Sequence, residues 1–267
     1  MTGNTERIAE RAIVEEGTHA STLYQHIARY VFARQFVRGK AVLDIACGTG
    51  YGASYLLNKG AKTVVGGDNS EEAIEYARLH YQKDRLSFLR CDAQQMLFRD
   101  WSFDVIVSFE TIEHLRRYED FLEGCRRALK DDGVFICSTP NRDGRFGYEN
   151  PTHFREFAPE EFRELIATYF AHVDLYGQGF LKRRDMIKGE SIRRLSPIIR
   201  FIPRPVKGFL KRLIQPEQCL FTSLAEACPN FAGGHDEILE QRYLPLPLAQ
   251  GSTACRGMIA VARKQDG

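Results

Sequence analysis

Short apolar runs alternate with amphipathic stretches along most of this chain. Ala41–Ile45, Thr63–Gly67, Leu86–Arg90, Phe103–Phe109, Val134–Ser138, His172–Leu175 and Gly257–Ala262 have the length and side-chain content of strands. Ala41–Ile45 and Phe103–Phe109 (FDVIVSF) are nearly continuous in apolar residues, the pattern of parallel strands covered on both faces. Helical spacing fills the gaps. Thr18–Val37 places Leu23, Ile27, Tyr30 and Val31 on one face, with Gly39 following. Ala53–Asn58, Ser70–Tyr81, Tyr118–Leu129 and Pro159–Tyr169 continue the alternation, Ser70 standing as a cap with Glu71 and Glu72 in the first turn. Seven strands alternating with helices predict an α/β fold with a doubly wound, seven-stranded sheet.

About 75 residues separate the last two strands, too many for an ordinary connection. The expected organisation is therefore a lid or covering helix over 1–38, a core over 39–178 and 257–267, and an insertion over 179–256 before the last strand. With 267 residues, 43% of them hydrophobic, the chain can bury one substantial core.

Charge changes the picture of the insertion. The net charge is only +2, so no global field points to nucleic acid, yet Lys182–Arg212 carries eleven Lys/Arg against Asp185 and Glu190. That segment is +9 and the remainder −7. Ile192–Leu213 interleaves these cations with Ile198, Ile199, Phe201, Ile202, Val206 and Phe209, and Pro197, Pro203 and Pro205 break it into pieces. Such a segment suits peripheral contact with an anionic membrane, at about 1 kcal/mol per basic residue. A grip on a phosphate-bearing substrate and a solvated lid are the other readings. Seven scattered cysteines without a C-x-x-C pair point to a reducing compartment. The N-terminus lacks the apolar stretch of a signal peptide and no apolar run approaches a membrane span. The expectation is a cytoplasmic protein, in places at the inner face of the membrane.

The chemistry centres on AVLDIACGTGYGAS, residues 41–54: strand, glycine loop, helix. That arrangement brings backbone N–H groups and a helix N-terminus to a ligand. Gly48, Gly50 and Ala53 fit the dinucleotide fingerprint G-x-G-x-x-G/A, but Asp44 in the preceding strand would repel a pyrophosphate. A carboxylate there suits a cationic ligand. S-adenosylmethionine carries a sulfonium, an ammonium and no phosphate. Asp68, twenty residues after Gly48 at the end of the next strand, is placed to accept ribose hydroxyls, with Asn69 beside it. Its competing role is to cap the helix at Ser70. Asp92 ends the third strand and can accept from an adenine amino group while the Ala93 N–H donates to the ring; the alternative is a solvent-facing turn aspartate. His19, Tyr24, His26, Arg29 and Tyr30 form a polar-aromatic face on the first helix.

The segments VLDIACGTG, VVGGDNSEEAI, FLRCDAQQM, FDVIVSFETIEHL and LKDDGVFICSTPN resemble, in order and spacing, the class I S-adenosylmethionine-dependent methyltransferases. The resemblance covers Gly39 to about Tyr176. It implies a Rossmann-like fold and a cofactor set of Asp44, Ala46, Gly48, Gly50, Asp68, Asn69, Asp92, Ala93 and Phe109. Helices like the first one often cover the methionine end of the cofactor in this superfamily, so His26 or Arg29 would meet its carboxylate. Where the family usually has glycine this chain has Ala46, and one added methyl group is expected to leave binding intact.

After Phe109 comes Glu110-Thr-Ile-Glu113-His114. On a helical turn, positions i, i+3 and i+4 share a face, so Glu110, Glu113 and His114 would converge. His153, in Pro151–Phe162 (PTHFREFAPEEF), sits in a loop after the fifth strand, at the same carboxyl edge of the sheet. Two carboxylates and two imidazoles make a four-ligand set for Mg2+ or another divalent cation. The bland alternative has Glu113 and His114 pairing locally, with His114 alone as general base. The pattern looks like that of ubiquinone-biosynthesis O-methyltransferases and of small-RNA 3′-terminal 2′-O-methyltransferases, which methylate one of two adjacent hydroxyls held by a metal. That likeness implies catalytic roles for His114 and Glu110 and metal ligation by Glu110, Glu113, His114 and His153. A hydroxyl is a poor nucleophile at neutral pH unless a base or metal activates it. The first helix and the NPTHFREF element look most like methyltransferases of bacterial polysaccharide and glycoconjugate synthesis. The expected acceptor is a sugar or glycan diol; a catechol-like quinone precursor, an RNA ribose and a non-catalytic scaffold are the alternatives.

Overall fold

The computed structural model describes residues 20–144, 150–180, 245–248 and 255–264. Elements follow in the order α1 (Ala20–Val37), β1 (Ala41–Ile45), α2 (Tyr51–Asn58), β2 (Thr63–Asp68), α3 (Glu71–Tyr81), β3 (Leu86–Arg90), β4 (Phe103–Phe109), α4 (Tyr118–Ala128), β5 (Leu129–Pro140), α5 (Pro159–Tyr169), β6 (Phe170–Phe180), β7 (Leu246–Pro247) and β8 (Cys255–Lys264). They form one eight-stranded sheet in the order β3-β2-β1-β4-β5-β8-β6-β7. β1 to β5 run parallel, and β8 lies antiparallel between β5 and β6. Strand order reverses between β1 and β4, and the crevice outside the carboxyl ends at such a switch point is where ligands bind in open α/β sheets.

Alternate side chains of the central strands feed two apolar layers. Val42, Val64, Val105, Val107, Val134 and Ile136 join Ile27, Tyr30 and Val31 of α1 and Leu56 of α2 on one face. Leu43, Ile45, Ile106, Phe135 and Cys137 meet Phe121 of α4 and Phe162 and Ile166 of α5 on the other. Burial on both faces is why these runs read as continuous hydrophobic segments. Phe135 stacks on Phe170 with centroids 4.7 Å apart, tying β5 to β6. The helix starts are chemical: the Ser70 hydroxyl accepts from the Ala73 N–H at 3.2 Å, and the Glu161 carboxylate accepts from the Ala158 N–H at 3.1 Å ahead of Pro159.

All seven expected strands are present, and the two-residue β7 adds an eighth at the edge. Three strands run further than their apolar patterns suggest. β5 begins at Leu129, so the Asp131-Asp132-Gly133 turn is absorbed as an irregularity between the pairs Phe103↔Leu129 and Val105↔Val134. It also continues through Thr139 and Pro140, paired with Met258 and Gly257. β6 reaches Phe180 and β8 starts at Cys255, so strand residues extend into both ends of 179–256, and Leu246–Pro247 within it pair with β6 as β7. The basic segment 182–212, the lead 1–17, the start of the first helix with His19, and Cys219 and Cys228 lie outside the described residues. Cys47, Cys91, Cys125, Cys137 and Cys255 are free thiols. No described helix is long and apolar enough to cross a membrane.

Candidate active site

The glycine loop leaves β1 through a tight reversal. Ala46 takes φ +64°, the left-handed region that favours glycine, and the Ala46 and Cys47 N–H groups donate to the Gly67 carbonyl at 2.7 and 3.0 Å. The loop's glycines divide by task. A Cβ on Gly52 would stand 2.0 Å from the Tyr30 ring, and one on Gly50 (φ +83°) would stand 2.6 Å from Phe88. Those two positions are bare so that α1, β3 and α3 can approach. Gly48 (φ +54°) faces open space, with nothing within 4 Å of where its Cβ would be. Of the three, it is the one open to a ligand.

Asp68 anchors that loop. One carboxylate oxygen accepts from the Gly48 N–H at 2.8 Å and the other from the Ser70 N–H at 2.9 Å. Helix capping falls to Ser70, and each Asp68 oxygen keeps capacity for a further donor such as a ribose hydroxyl. Asp92 accepts from the Gln94 N–H at 2.9 Å, capping the single 3₁₀ turn that starts at the buried Ala93. Asn69 is exposed beside Asp68, and its carbonyl accepts from Arg90. Phe109 is buried with its ring edge-on to Tyr30 at 5.0 Å.

Asp44 is fully buried beneath the loop, and the Tyr30 hydroxyl donates to both its oxygens, at 3.3 and 3.2 Å. Burial pushes its pKa to about 7; the Tyr30 hydrogen bond pulls it down, and the charge of Asp68 pushes it up. The anion expected of Asp44 is thus poised near neutrality. On the same helix, burial and the Arg29 cation lower His26 to about 4, Glu110 opposing them. His26 is therefore neutral at pH 7 and offers no charge to a carboxylate. Arg29 does. It is 3% exposed, its Nη2 stands 3.2 Å from Glu110 Oε1, and its Nε and Nη1 are buried without a hydrogen-bond partner. A buried guanidinium with two donors to spare suits an anionic ligand group.

Past β4, Glu110 takes φ +54° and a 3₁₀ turn, Ile112–His114, follows. The α-helical spacing expected from sequence does not form, and the four residues do not make one group. Glu113, His114 and His153 bring ligand atoms within 4.8 Å of one another. Glu110 is not in that group; Arg29 and the Ser138 hydroxyl, which donates at 3.0 Å, engage its carboxylate. Glu113 is 1% exposed: its Oε2 accepts from Thr139 Oγ1 at 3.1 Å and its Oε1 has no partner. Burial first, then the neighbouring Glu110 charge, hold the Glu113 carboxyl well above the usual range. The His153 loop docks on the same turn, the Phe154 N–H donating to the Glu113 carbonyl at 2.8 Å. His114 Nδ1 stands 3.1 Å from the Thr152 carbonyl and must carry hydrogen to use it, leaving the lone pair on Nε2. The rings of His114 and His153 meet edge-on at 4.7 Å.

Comparison with known proteins adds the family. A model of the methyltransferase domain matches residues 43–137, which hold the glycine loop, Asp68, Asp92 and the Glu113–His114 turn. Residues 43–137 are thus a methyltransferase domain of the class I S-adenosylmethionine-dependent kind. A probable S-adenosylmethionine-dependent methyltransferase of Mycolicibacterium smegmatis is 38% identical over 134 residues, 49% of this chain and 51% of that protein. A ubiquinone biosynthesis O-methyltransferase of Roseobacter denitrificans is 36% identical over 108 residues, 40% and 43% of the two chains. A methyltransferase of Thermotoga maritima, described as a possible histamine N-methyltransferase, superposes with a TM-score of 0.56 at 15% identity, covering 91% of this chain and 92% of that one. That likeness shows the fold. The chain spans about half the length of the relatives it matches.

The candidate site has contacts between residues too far apart in the chain for spacing to show. The Tyr30–Asp44 hydrogen bond, the Arg29–Glu110 ion pair and the Ser138 and Thr139 hydroxyls join residues distant in sequence. The i,i+3 spacing of Asn150, His153 and Glu156 was the one local signal available, and those side chains do meet.

Proposed function

We propose that this protein transfers a methyl group from S-adenosylmethionine to a hydroxyl oxygen that has a second hydroxyl beside it, as on a sugar or glycan. The observation that carries the reading is the buried Glu113 carboxyl, one of its oxygens unpartnered, within 4.8 Å of two imidazoles. Carboxylate oxygen and imidazole nitrogen are the donor set of a divalent cation, so Glu113, His114 and His153 fit one. A cation bound there would draw neighbouring acceptor oxygens together and lower the pKa of a hydroxyl. The cofactor side fits as well: Gly48 has an open face, Asp68 has acceptor capacity and Arg29 has two unused donors. S-adenosylmethionine, when bound, supplies a methyl group already attached to its leaving group, so positioning is the main demand on the protein. Asp68 would take the ribose hydroxyls, Asp92 and Ala93 the base, Asp44 the cationic end and Arg29 the carboxylate. Glu110 holds Arg29 in place at the edge of the crevice.

The relationship to a ubiquinone biosynthesis O-methyltransferase favours a second acceptor, a catechol-like quinone precursor. The deciding experiment is a screen with methyl-labelled S-adenosylmethionine over glycans, catechols and RNA, each with and without EDTA. Label on a diol-bearing glycan, lost with EDTA and in His153→Ala, is the expected result. Activity that survives both treatments leaves His114 as a lone general base and removes the cation. Label confined to catechols or RNA replaces the glycan.

A further inference from the structure

His153 is held from both sides by partners that dictate where its hydrogen lies. Its Nδ1 stands 2.6 Å from Glu156 Oε1, and a carboxylate only accepts, so Nδ1 carries the hydrogen. Its Nε2 stands 2.9 Å from Asn150 Nδ2, and an amide NH2 only donates, so Nε2 bears the lone pair. The orientation of the Asn150 amide is itself fixed. Its Oδ1 accepts from the Thr152 N–H at 3.1 Å and from the Thr152 hydroxyl at 2.9 Å, which turns the NH2 toward His153. The His153 side chain is 5% exposed, so protein groups outweigh water around it.

We infer that Glu156 and Asn150 together govern whether His153 can ligate a cation, which rests on the cation reading given above. Glu156 is a positioning residue: it fixes the ring and keeps the lone pair on Nε2. Asn150 is a displaceable donor that occupies this lone pair until a divalent cation takes it. The two residues therefore act with opposite sign, one supporting ligation and the other competing with it. A carboxylate behind a ligating imidazole also raises its basicity, and loss of such a partner weakens metal binding by roughly 10–100-fold.

The test uses Mn2+ with the full chain, followed by titration calorimetry and electron paramagnetic resonance. Glu156→Ala is expected to weaken Mn2+ binding about tenfold or more. Glu156→Gln, which keeps an acceptor oxygen, recovers part of the loss. Asn150→Ala is expected to tighten binding about fivefold, because one neutral hydrogen bond no longer has to be broken. Asn150→Ser, too short to reach His153 but able to keep the turn at Thr152, shifts affinity in the same direction and covers a folding defect in the alanine variant. Histidine 15N shifts should report the Nδ1–H form of His153 in the wild type and in each single variant, where one partner still fixes the hydrogen, and a tautomer mixture only when Glu156→Ala and Asn150→Ser are combined. If Mn2+ does not bind, or binds equally well in His153→Ala, the cation reading itself is wrong. If binding depends on His153 but both Asn150 variants weaken it, or Glu156→Ala leaves it unchanged, the cation reading stands and this inference is overturned.

Discussion

Replacing Asp44 by asparagine separates the stability of the domain from its affinity for the cofactor. Asp44 is 1% exposed, and burial raises its pKa from 3.8 to about 7. A folded pKa above the unfolded one means that the native chain holds a proton the unfolded chain has already released. This group therefore costs no stability below pH 4, and the cost grows as pH rises from 4 to 7. Three pH units at 1.36 kcal/mol each place the full cost at about 4 kcal/mol by pH 8. Asparagine keeps the shape and an oxygen for the Tyr30 hydroxyl, yet has no charge to bury. Its NH2 needs a partner in the same space, which gives back about 1–3 kcal/mol. The ligand-free variant is thus expected to be about 1–3 kcal/mol more stable than wild type at pH 8 and no more stable at pH 4. S-adenosylmethionine affinity moves the other way. Removing one member of a buried charge pair costs about 2–5 kcal/mol, at least about 30-fold in Kd. Denaturant unfolding at the two pH values and calorimetry from pH 6 to 8.5 are the assays. Comparing variant with wild type at each pH cancels the titration of the cofactor's own amino group, so the remaining pH dependence belongs to Asp44. A variant that loses stability at pH 8, or binds the cofactor as tightly as wild type throughout, refutes the reasoning.

Three further outcomes are expected. Ala46→Gly relieves a side chain held at φ +64°; about 1–2 kcal/mol of left-handed strain less about 0.5–1 of added chain entropy leaves a gain near 0.5–1 kcal/mol, about 2 °C in Tm, with cofactor affinity unchanged. A drop in Tm would show that the methyl group packs. Gly52→Ala drives a Cβ to 2.0 Å from the Tyr30 ring and should cost about 1–3 kcal/mol, read as a lower denaturant midpoint; an unmoved midpoint rejects the close seating of α1. Asp68→Ala removes the acceptor of the Gly48 and Ser70 N–H groups and should abolish calorimetric binding of S-adenosylmethionine, while circular dichroism reports a retained fold. Wild-type affinity in that variant would end the cofactor role of Asp68.

The strands β1, β3 and β4 and the helix α5 lie within the bounds that pattern alone suggests, because local propensity and two-sided burial demand the same thing of each. The helix cap at Ser70 was legible for a similar reason, since it is a contact between near neighbours. Strand ends were legible only where they are apolar. Thr139 is buried near the end of β5, yet it is polar because it borders the site, where it donates to Glu113. A hydrophobic pattern therefore stops short of it. The glycine loop shows the same division. Its sequence announced a close approach of backbone to something, but only packing distinguished Gly48, open to a ligand, from Gly50 and Gly52, bare to admit Phe88 and Tyr30.

By itself, then, the order of residues determined the kind of sheet, the edge at which chemistry collects and the acids and imidazoles that collect there. Tertiary structure decided which of those groups meet. Glu110 and Glu113 are near neighbours in the chain, yet a positive φ at Glu110 and a 3₁₀ turn in place of an α-turn send one carboxylate to Arg29 of the first helix and the other to His114 and His153. The physical reason is that a polar group withdrawn from water pairs with whichever partner the packed elements bring near, and that partner is chosen by the fold and not by spacing along the chain.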